Sequence, residues 1–311
     1  MQYFKNDFLE DKGVHILDKD DKYVANFGKQ WRDHVDIQID SKNDFNCSKD
    51  LLENVIFSDI SYFQDKTVLE IGCGAGRFSE HIIKYAKELV LVDLSQAIFF
   101  NVAQESANCK RIKADFLRLI PNKKFDVVIC RGVLQHTPSP IESIKKLYEF
   151  VEDEGEVIFD IYPPPKIGYF SPKYFLWRPL FKNLIKYESC EKFLIDNVSL
   201  LLKIKRIIRK IFFNSRFISD CFVPVYDYKG LLELNDTQLE QWAVLDTLDG
   251  MYAQYENPMS FKRVSNLLNK YNVEIKYSSK IHNAFRTSLK KWTYDSVKNH
   301  LIVSEIPCST L

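Results

Sequence analysis

Charge of one sign is what this chain of 311 residues has least of: 43 Lys and Arg stand against 42 Asp and Glu, a formal net charge of +1. That balance leaves no global field to attract a polyanion, so nucleic acid is not expected as a partner and any basic patch must be local. Cysteine pairs are also missing. The seven cysteines, at positions 47, 73, 109, 130, 190, 221 and 308, form no CxxC and are odd in number, which fits reduced thiols and predicts neither disulfides nor a structural zinc. No apolar run reaches the length of a membrane span, since even residues 89–100 are broken by Asp93. The opening MQYFKNDFLEDKG has no apolar run and no small-residue cleavage site, so export is not expected and a cytoplasmic location is. Neither an H-E-x-x-H spacing nor a carboxylate-rich loop occurs, so no metal is expected.

What the chain has is an alternation of strands and helices. Residues 1–60 read as a polar and aromatic leader ending in a packing helix that Ser48 opens, with Leu51, Leu52, Val55, Ile56 and Ile60 on one side. Strands are then expected at 67–71, 88–93, 110–113, 125–130 and 156–162, with helices at 78–86, 96–106 and 141–150. Such order predicts a mostly parallel sheet with crossover helices on both faces. The alternation stops at Pro163-Pro164-Pro165, and residues 163–258 read as a helical, aromatic and basic insertion. Residues 259–311 then complete the sheet, through a helix capped by Ser260 and strands at 273–277 and 301–306.

Glycine is scarce, ten in all, yet three alternate in Val68-Leu69-Glu70-Ile71-Gly72-Cys73-Gly74-Ala75-Gly76-Arg77. A buried strand running into such a turn lets a nucleotide-like ligand approach the backbone, because no Cβ stands in the way. The dinucleotide fingerprint would need a third glycine where Arg77 stands. A nicotinamide-dependent oxidoreductase nevertheless remains an alternative, as does a binding module without catalysis.

The order E-x-G-x-G-x-G resembles the first motif of class I S-adenosylmethionine (SAM) dependent methyltransferases, and the resemblance extends over about residues 60–162. It implies a Rossmann-like α/β fold with a seven-stranded sheet, SAM as cofactor, S-adenosylhomocysteine as product, and no metal. It further implies a cofactor site at Glu70, Gly72, Cys73, Gly74 and Gly76. Asp93 of Leu91-Val92-Asp93-Leu94-Ser95 matches the acid that takes the ribose hydroxyls, with Leu94 beside it. A carboxylate suits a vicinal diol because it only accepts. Asp115 and Phe116 match the motif that holds the adenine amino group and covers the ring, and Arg131 ends the fourth strand. Gln30 and Trp31 lie in a segment similar to one ahead of the first motif in some bacterial members, where they would close over the methionine end. Taken singly, Asp93 and Asp115 could instead be a helix N-terminal acid and a turn former.

The chemistry expected is an in-line displacement at the sulfonium methyl by an acceptor oxygen, less readily a nitrogen, of a small metabolite or a sugar or glycan precursor. His136, in the loop after the fourth strand, is the candidate base, and orienting that loop is an equal reading. Gln135, Asp246, Asp249, Tyr252 and Tyr255 are candidates for the acceptor side. Residues 166–257 are expected to form a helical cap over the carboxyl edge of the sheet. Within it Leu200, Ile204, Ile207, Ile208 and Ile211 recur at helical spacing beside Lys203, Lys205, Arg206, Arg209 and Lys210. The favoured reading packs that apolar stripe on the domain; the other lays residues 200–211 peripherally on a membrane.

Overall fold

The computed structural model describes residues 2–24, 26, 28–29, 39–43, 47–165, 170–230, 234–271, 273–280 and 283–289. Its strands are β1 (Leu9–Asp11), β2 (Val14–Ile16), β3 (Thr67–Ile71), β4 (Glu88–Asp93), β5 (Cys109–Lys113), β6 (Phe125–Cys130), β7 (Val151–Asp160), β8 (Val273–Ser279) and β9 (Ala284–Leu289). They form one sheet in the order β1-β2-β5-β4-β3-β6-β7-β9-β8. From β2 to β7 every pairing is parallel; β1 with β2, β7 with β9 and β9 with β8 are antiparallel. The longer helices are α1 (Cys47–Ile56), α2 (Pro140–Leu147), α3 (Arg178–Leu184), α4 (Tyr187–Ile211), α5 (Arg216–Phe222), α6 (Asp236–Tyr252) and α7 (Phe261–Lys270).

The chain enters the sheet's centre at β3, runs outward through β4 and β5, then returns to the other side of β3 with β6 and β7. This reversal opens a crevice at the carboxyl ends of β3 and β6, the place where open α/β sheets bind ligands. Alternation of side chains supplies both cores. Leu69, Ile71, Val90 and Val92 join one buried cluster, while Val68, Leu89 and Leu91 join the other, so β3 and β4 are covered on both faces.

The sheet has nine strands rather than the seven expected. Residues of the leader supply the extra two, β1 and β2, and β2 lies parallel on β5, which would otherwise be an open edge. Their two-residue turn has positive φ at Lys12 (49°) and Gly13 (70°), the geometry that matches strand twist. Strand β9 was not anticipated because its inward residues include Thr287 and Ser288, which break the apolar pattern. The strand expected at 301–306 lies outside the described residues. The helices expected at 78–86 and 96–106 shrink to single turns, Ser79–Ile82 and Gln96–Phe100. Asn101 leaves the helical path after the second, and its amide donates to the Gly74 carbonyl and to Ser79 Oγ.

The long helix α4 also departs from expectation. Its packed stripe is Tyr187, Cys190, Leu194, Val198, Leu202 and Lys205, and it meets α6. The expected stripe faces outward instead: Leu200, Ile204, Ile207 and Ile211 are exposed, while Ile208 alone of that set packs on the helical core. Two apolar stripes run along one helix, and only one has a partner within the described residues.

Candidate functional site

A cavity of about 390 Å³ lies in the crevice at the carboxyl ends of β3, β4 and β6. On the sheet side it is lined by Gly72, Cys73, Asp93, Leu94, Asp115, Phe116 and Arg131; on the helical side by Tyr228, Trp242, Leu245, Asp246 and Asp249. His136 stands where the two meet. Among the expected residues Glu70, Gly74, Gly76, Gln135, Tyr252 and Tyr255 do not line it, and Gln30 and Trp31 lie outside the described residues.

The glycine turn is held by its neighbours. Gly72 has φ 73°, and a Cβ there would come within 2.0 Å of Val133 Cγ2, so no other residue fits. Asp93 closes β4 and accepts the Gly74 N–H at 2.8 Å with one oxygen, and the Ser95 N–H and Oγ with the other. Burial raises its carboxyl above the ordinary value. Two donors fill Oδ1, and an acceptor site remains on Oδ2 for a ligand's hydroxyl. Asp115 accepts the Leu117 N–H and starts a short turn that aims Phe116 at the cavity.

Glu70 is a correction to the expected cofactor set. It is buried on the far side of the turn, where Ser79 Oγ donates to it at 2.7 Å. Burial pushes its carboxyl up to about 8, so at neutral pH it is mostly protonated. It braces the turn and does not line the cavity.

His136 sits in a 3-10 turn, Leu134–His136. Its Nδ1 is 3.1 Å from the Tyr255 carbonyl oxygen, which can only accept, so Nδ1 carries the hydrogen. Its Nε2 is 3.8 Å from Asp249 Oδ2. Asp246 and Asp249, three apart on α6, share the helix face turned to the cavity. Burial raises both carboxyls, Asp246 to about 6 even though the Tyr228 hydroxyl donates to it.

The other acceptor-side expectations move elsewhere. Tyr252 belongs to the helical core: its ring packs on Tyr187 and its hydroxyl donates to the Ile185 carbonyl. Tyr255 contributes its backbone carbonyl to His136, and its ring lies against Tyr23. Gln135 is fully buried and accepts the Tyr162 N–H, while its own carbonyl accepts from Asn257.

Lining residues that were not expected include Asp160, Arg77, Tyr228 and Trp242. Asp160 ends β7 and accepts from Arg131 Nε and the Gly132 N–H, which fixes the loop leading to His136. The strand expected here ran on to 162, so Asp160 did not stand out as the carboxylate that closes it. Arg77, the residue that displaced the third glycine, reaches across to lie over the Trp242 ring. Tyr228 stands in a loop with no pattern to mark it.

Away from the cavity, Asp40, Glu80 and His81 bring three possible metal ligands together. Their atoms are already engaged in the protein: Asp40 accepts the Ser48 and Lys49 N–H groups at the start of α1, and Glu80 accepts the Asp40 N–H.

Residues 49–183, which contain the glycine turn and Asp93, match the family described as a methyltransferase domain. That stretch, less than half of the chain, is similar to methyltransferase domains. Among curated relatives, a tRNA U34 carboxymethyltransferase of Helicobacter pylori (strain J99 / ATCC 700824) is 31% identical over 134 residues, covering 40% of this chain and 49% of that protein. A ubiquinone biosynthesis O-methyltransferase of Coxiella burnetii (strain Dugway 5J108-111) is 27% identical over 100 residues, 30% of this chain and 42% of that one. This chain therefore spans about half the length of the curated relatives it matches. Of solved structures, the N-methyltransferase NodS of Bradyrhizobium japonicum WM9 with S-adenosyl-L-homocysteine is 20% identical, with TM-score 0.33 over 37% of this chain and 60% of that one, too slight a likeness to bear on the argument.

One expectation falls with these comparisons. Nucleic acid was set aside on the balanced charge, yet relatives of the methyltransferase domain are named for acting on tRNA. Net charge sums over the whole surface, whereas recognition is local, so the balance never bore on it.

Proposed function

We propose that the cavity binds SAM against the sheet and that a hydroxyl of a small metabolite or sugar-like acceptor is methylated against the helical wall. The observation that carries this reading is that one cavity joins Asp93, Asp115 and the glycine turn to His136, Asp246 and Asp249. The residues present fit the cofactor: Gly72 and Cys73 line the cavity at the turn, and Asp93 keeps an acceptor site on Oδ2 for a ribose hydroxyl. In this reading Asp115 takes the adenine amino group, Phe116 covers the ring, and Arg131 holds the loop beside them. Bound SAM supplies a methyl group already activated on a sulfonium.

The chain's own residues then align the acceptor and remove its proton. His136 Nε2, which carries the lone pair in the neutral ring, accepts that proton. Asp249, at 3.8 Å, stabilises the imidazolium that results. Asp246 and Tyr228 hold a neighbouring hydroxyl, and Trp242 offers an apolar face for a ring to lie on.

Titration calorimetry with SAM and with NAD tests the cofactor, and the radiolabelled methyl of SAM tests the acceptor when the chain is incubated with separated metabolite and RNA fractions. Binding of SAM with label in metabolites is the expected result. Binding of NAD alone overturns the methyltransferase reading, and label in RNA overturns the metabolite reading.

A further inference from the structure

We propose that the outer face of α4 and the tip joining α4 to α5 dock on an anionic lipid bilayer surface. Among the described residues, fourteen of the twenty large hydrophobic side chains left exposed lie within residues 170–222, a concentration that a scatter of single exposed residues does not give. They are ordered as well as numerous. Phe193, Leu200, Ile204, Ile207 and Ile211 follow one another at intervals of seven, four, three and four, one continuous stripe roughly 27 Å long at 1.5 Å per residue.

The stripe ends in a protruding tip. Phe212 closes α4, Phe213 and Asn214 take positive φ (51° and 60°) to turn the chain, and Ser215 caps α5. Phe213 is 99% exposed, with Phe217 and Phe222 exposed beyond it. An aromatic held wholly in solvent by a capped turn is placed to enter another phase.

Charge selects that phase. Residues 200–222 hold six cations and one acid, Asp220; Lys205 pairs with Asp220 and Arg206 with Asp227, which leaves Lys203, Arg209, Lys210 and Arg216 to set the charge of the face. Lys203 and Lys210 are exposed on the same face as the stripe, three residues from Leu200 and Ile207 respectively. Long cationic stems beside apolar residues reach lipid headgroups while their neighbours enter the acyl boundary. A second copy of this chain fits less well, because a two-fold interface would set this cationic patch against itself. RNA would answer the charge but leave Leu200, Ile204, Ile207 and Ile211 without partners, since aliphatic side chains offer no stacking surface.

The test is co-sedimentation of the full chain with phosphatidylcholine vesicles with and without phosphatidylglycerol, at low and at physiological salt. A variant carrying Ile207→Asp and Phe213→Asp removes the apolar part of the face at two exposed positions, and its SAM affinity reports that it has folded. Binding to the anionic vesicles that weakens with salt, and falls at least about tenfold in the variant, is expected. Failure to bind anionic vesicles at low salt overturns the proposal, as does equal binding by the variant. A concentration-dependent dimer that the variant loses would assign the face to a second copy. Transfer RNA that binds the wild type and not the variant would assign it to RNA.

Discussion

The cavity has two walls, one from strand ends and one from residues 228–249, and they differ in what fixes them. On the sheet wall the backbone does most of the placing: Gly72 is pinned by its N–H to the Val92 carbonyl, and Asp93 by the Gly74 and Ser95 N–H groups. On the helical wall side chains alone meet the cavity, from α6 and from the loop before it. Two of them are buried carboxylates with raised pKa values: Asp246 accepts from Tyr228, and Asp249 faces His136. A wall of backbone and strand ends keeps one shape and suits a cofactor that never changes. A wall of titratable side chains can be retuned residue by residue, which suits an acceptor.

Substitutions that separate binding from turnover test this division most sharply. His136→Gln keeps the volume of the side chain and removes the base, so methyl transfer should fall roughly a hundredfold or more. The SAM affinity should stay at the wild-type value, because the contacts of the ring with the Tyr255 carbonyl, Asp249 and the Tyr162 ring involve none of the expected cofactor residues. Transfer at the wild-type rate would leave His136 a loop residue.

Asp93→Ala addresses the other wall. Losing a hydrogen bond from a ribose hydroxyl to a charged acceptor, about 1.5–3 kcal/mol, amounts to a loss of roughly tenfold or more in SAM affinity by calorimetry. The variant also frees the Gly74 and Ser95 N–H groups, so its melting temperature should drop alongside. Unchanged affinity in a folded variant would break the assignment of this wall to the cofactor.

Asp246→Asn gives a smaller effect with a pH signature. Burial holds the Asp246 carboxyl up at about 6, so its ionised form, which accepts the Tyr228 hydroxyl, is gained as pH rises through that value. Turnover of the wild type should climb across this range and then level. In the Asn variant the climb near pH 6 should vanish and turnover should be a few-fold lower throughout. A profile identical to the wild type would take Asp246 out of the acceptor wall.

The same division explains what could be read from the sequence. On the sheet wall the alternating glycines marked the turn, because backbone geometry constrains residue type there, and Asp93 was marked by the resemblance to the family motif at the end of an apolar strand. The helical wall gave weaker signals. Asp246, Asp249 and Tyr252 were equally candidates for the acceptor side, but Tyr252, three residues beyond Asp249 on α6, faces the core instead. Helix α4 misled for a related reason. It bears two apolar stripes, and periodicity alone cannot say which one meets a partner. The hairpin of β1 and β2 was missed because its turn has Lys12 where Asn or Asp would have marked it.

The smallest expected effect is at Glu70, and it tests whether the turn is braced by a neutral acid. Glu70 does not line the cavity, and Ser79 Oγ donates to it inside the core. Burial raises its pKa from 4.5 to about 8, so the folded state takes up a proton that the unfolded state releases at lower pH. The sign follows from that order. The stability Glu70 contributes is full below pH 4.5 and is lost as pH rises through about 8. Glu70→Gln substitutes a side chain that is neutral at every pH and still accepts from Ser79. Near pH 5 the variant should melt within about 1 kcal/mol of the wild type, and as pH rises towards 9 it should become the more stable of the two. SAM affinity should be nearly unchanged at pH 7, since no contact with the ligand is removed. If instead the wild type gains on the variant as pH rises, Glu70 is ionised in the folded protein and its partner is a donor on the ligand side of the turn.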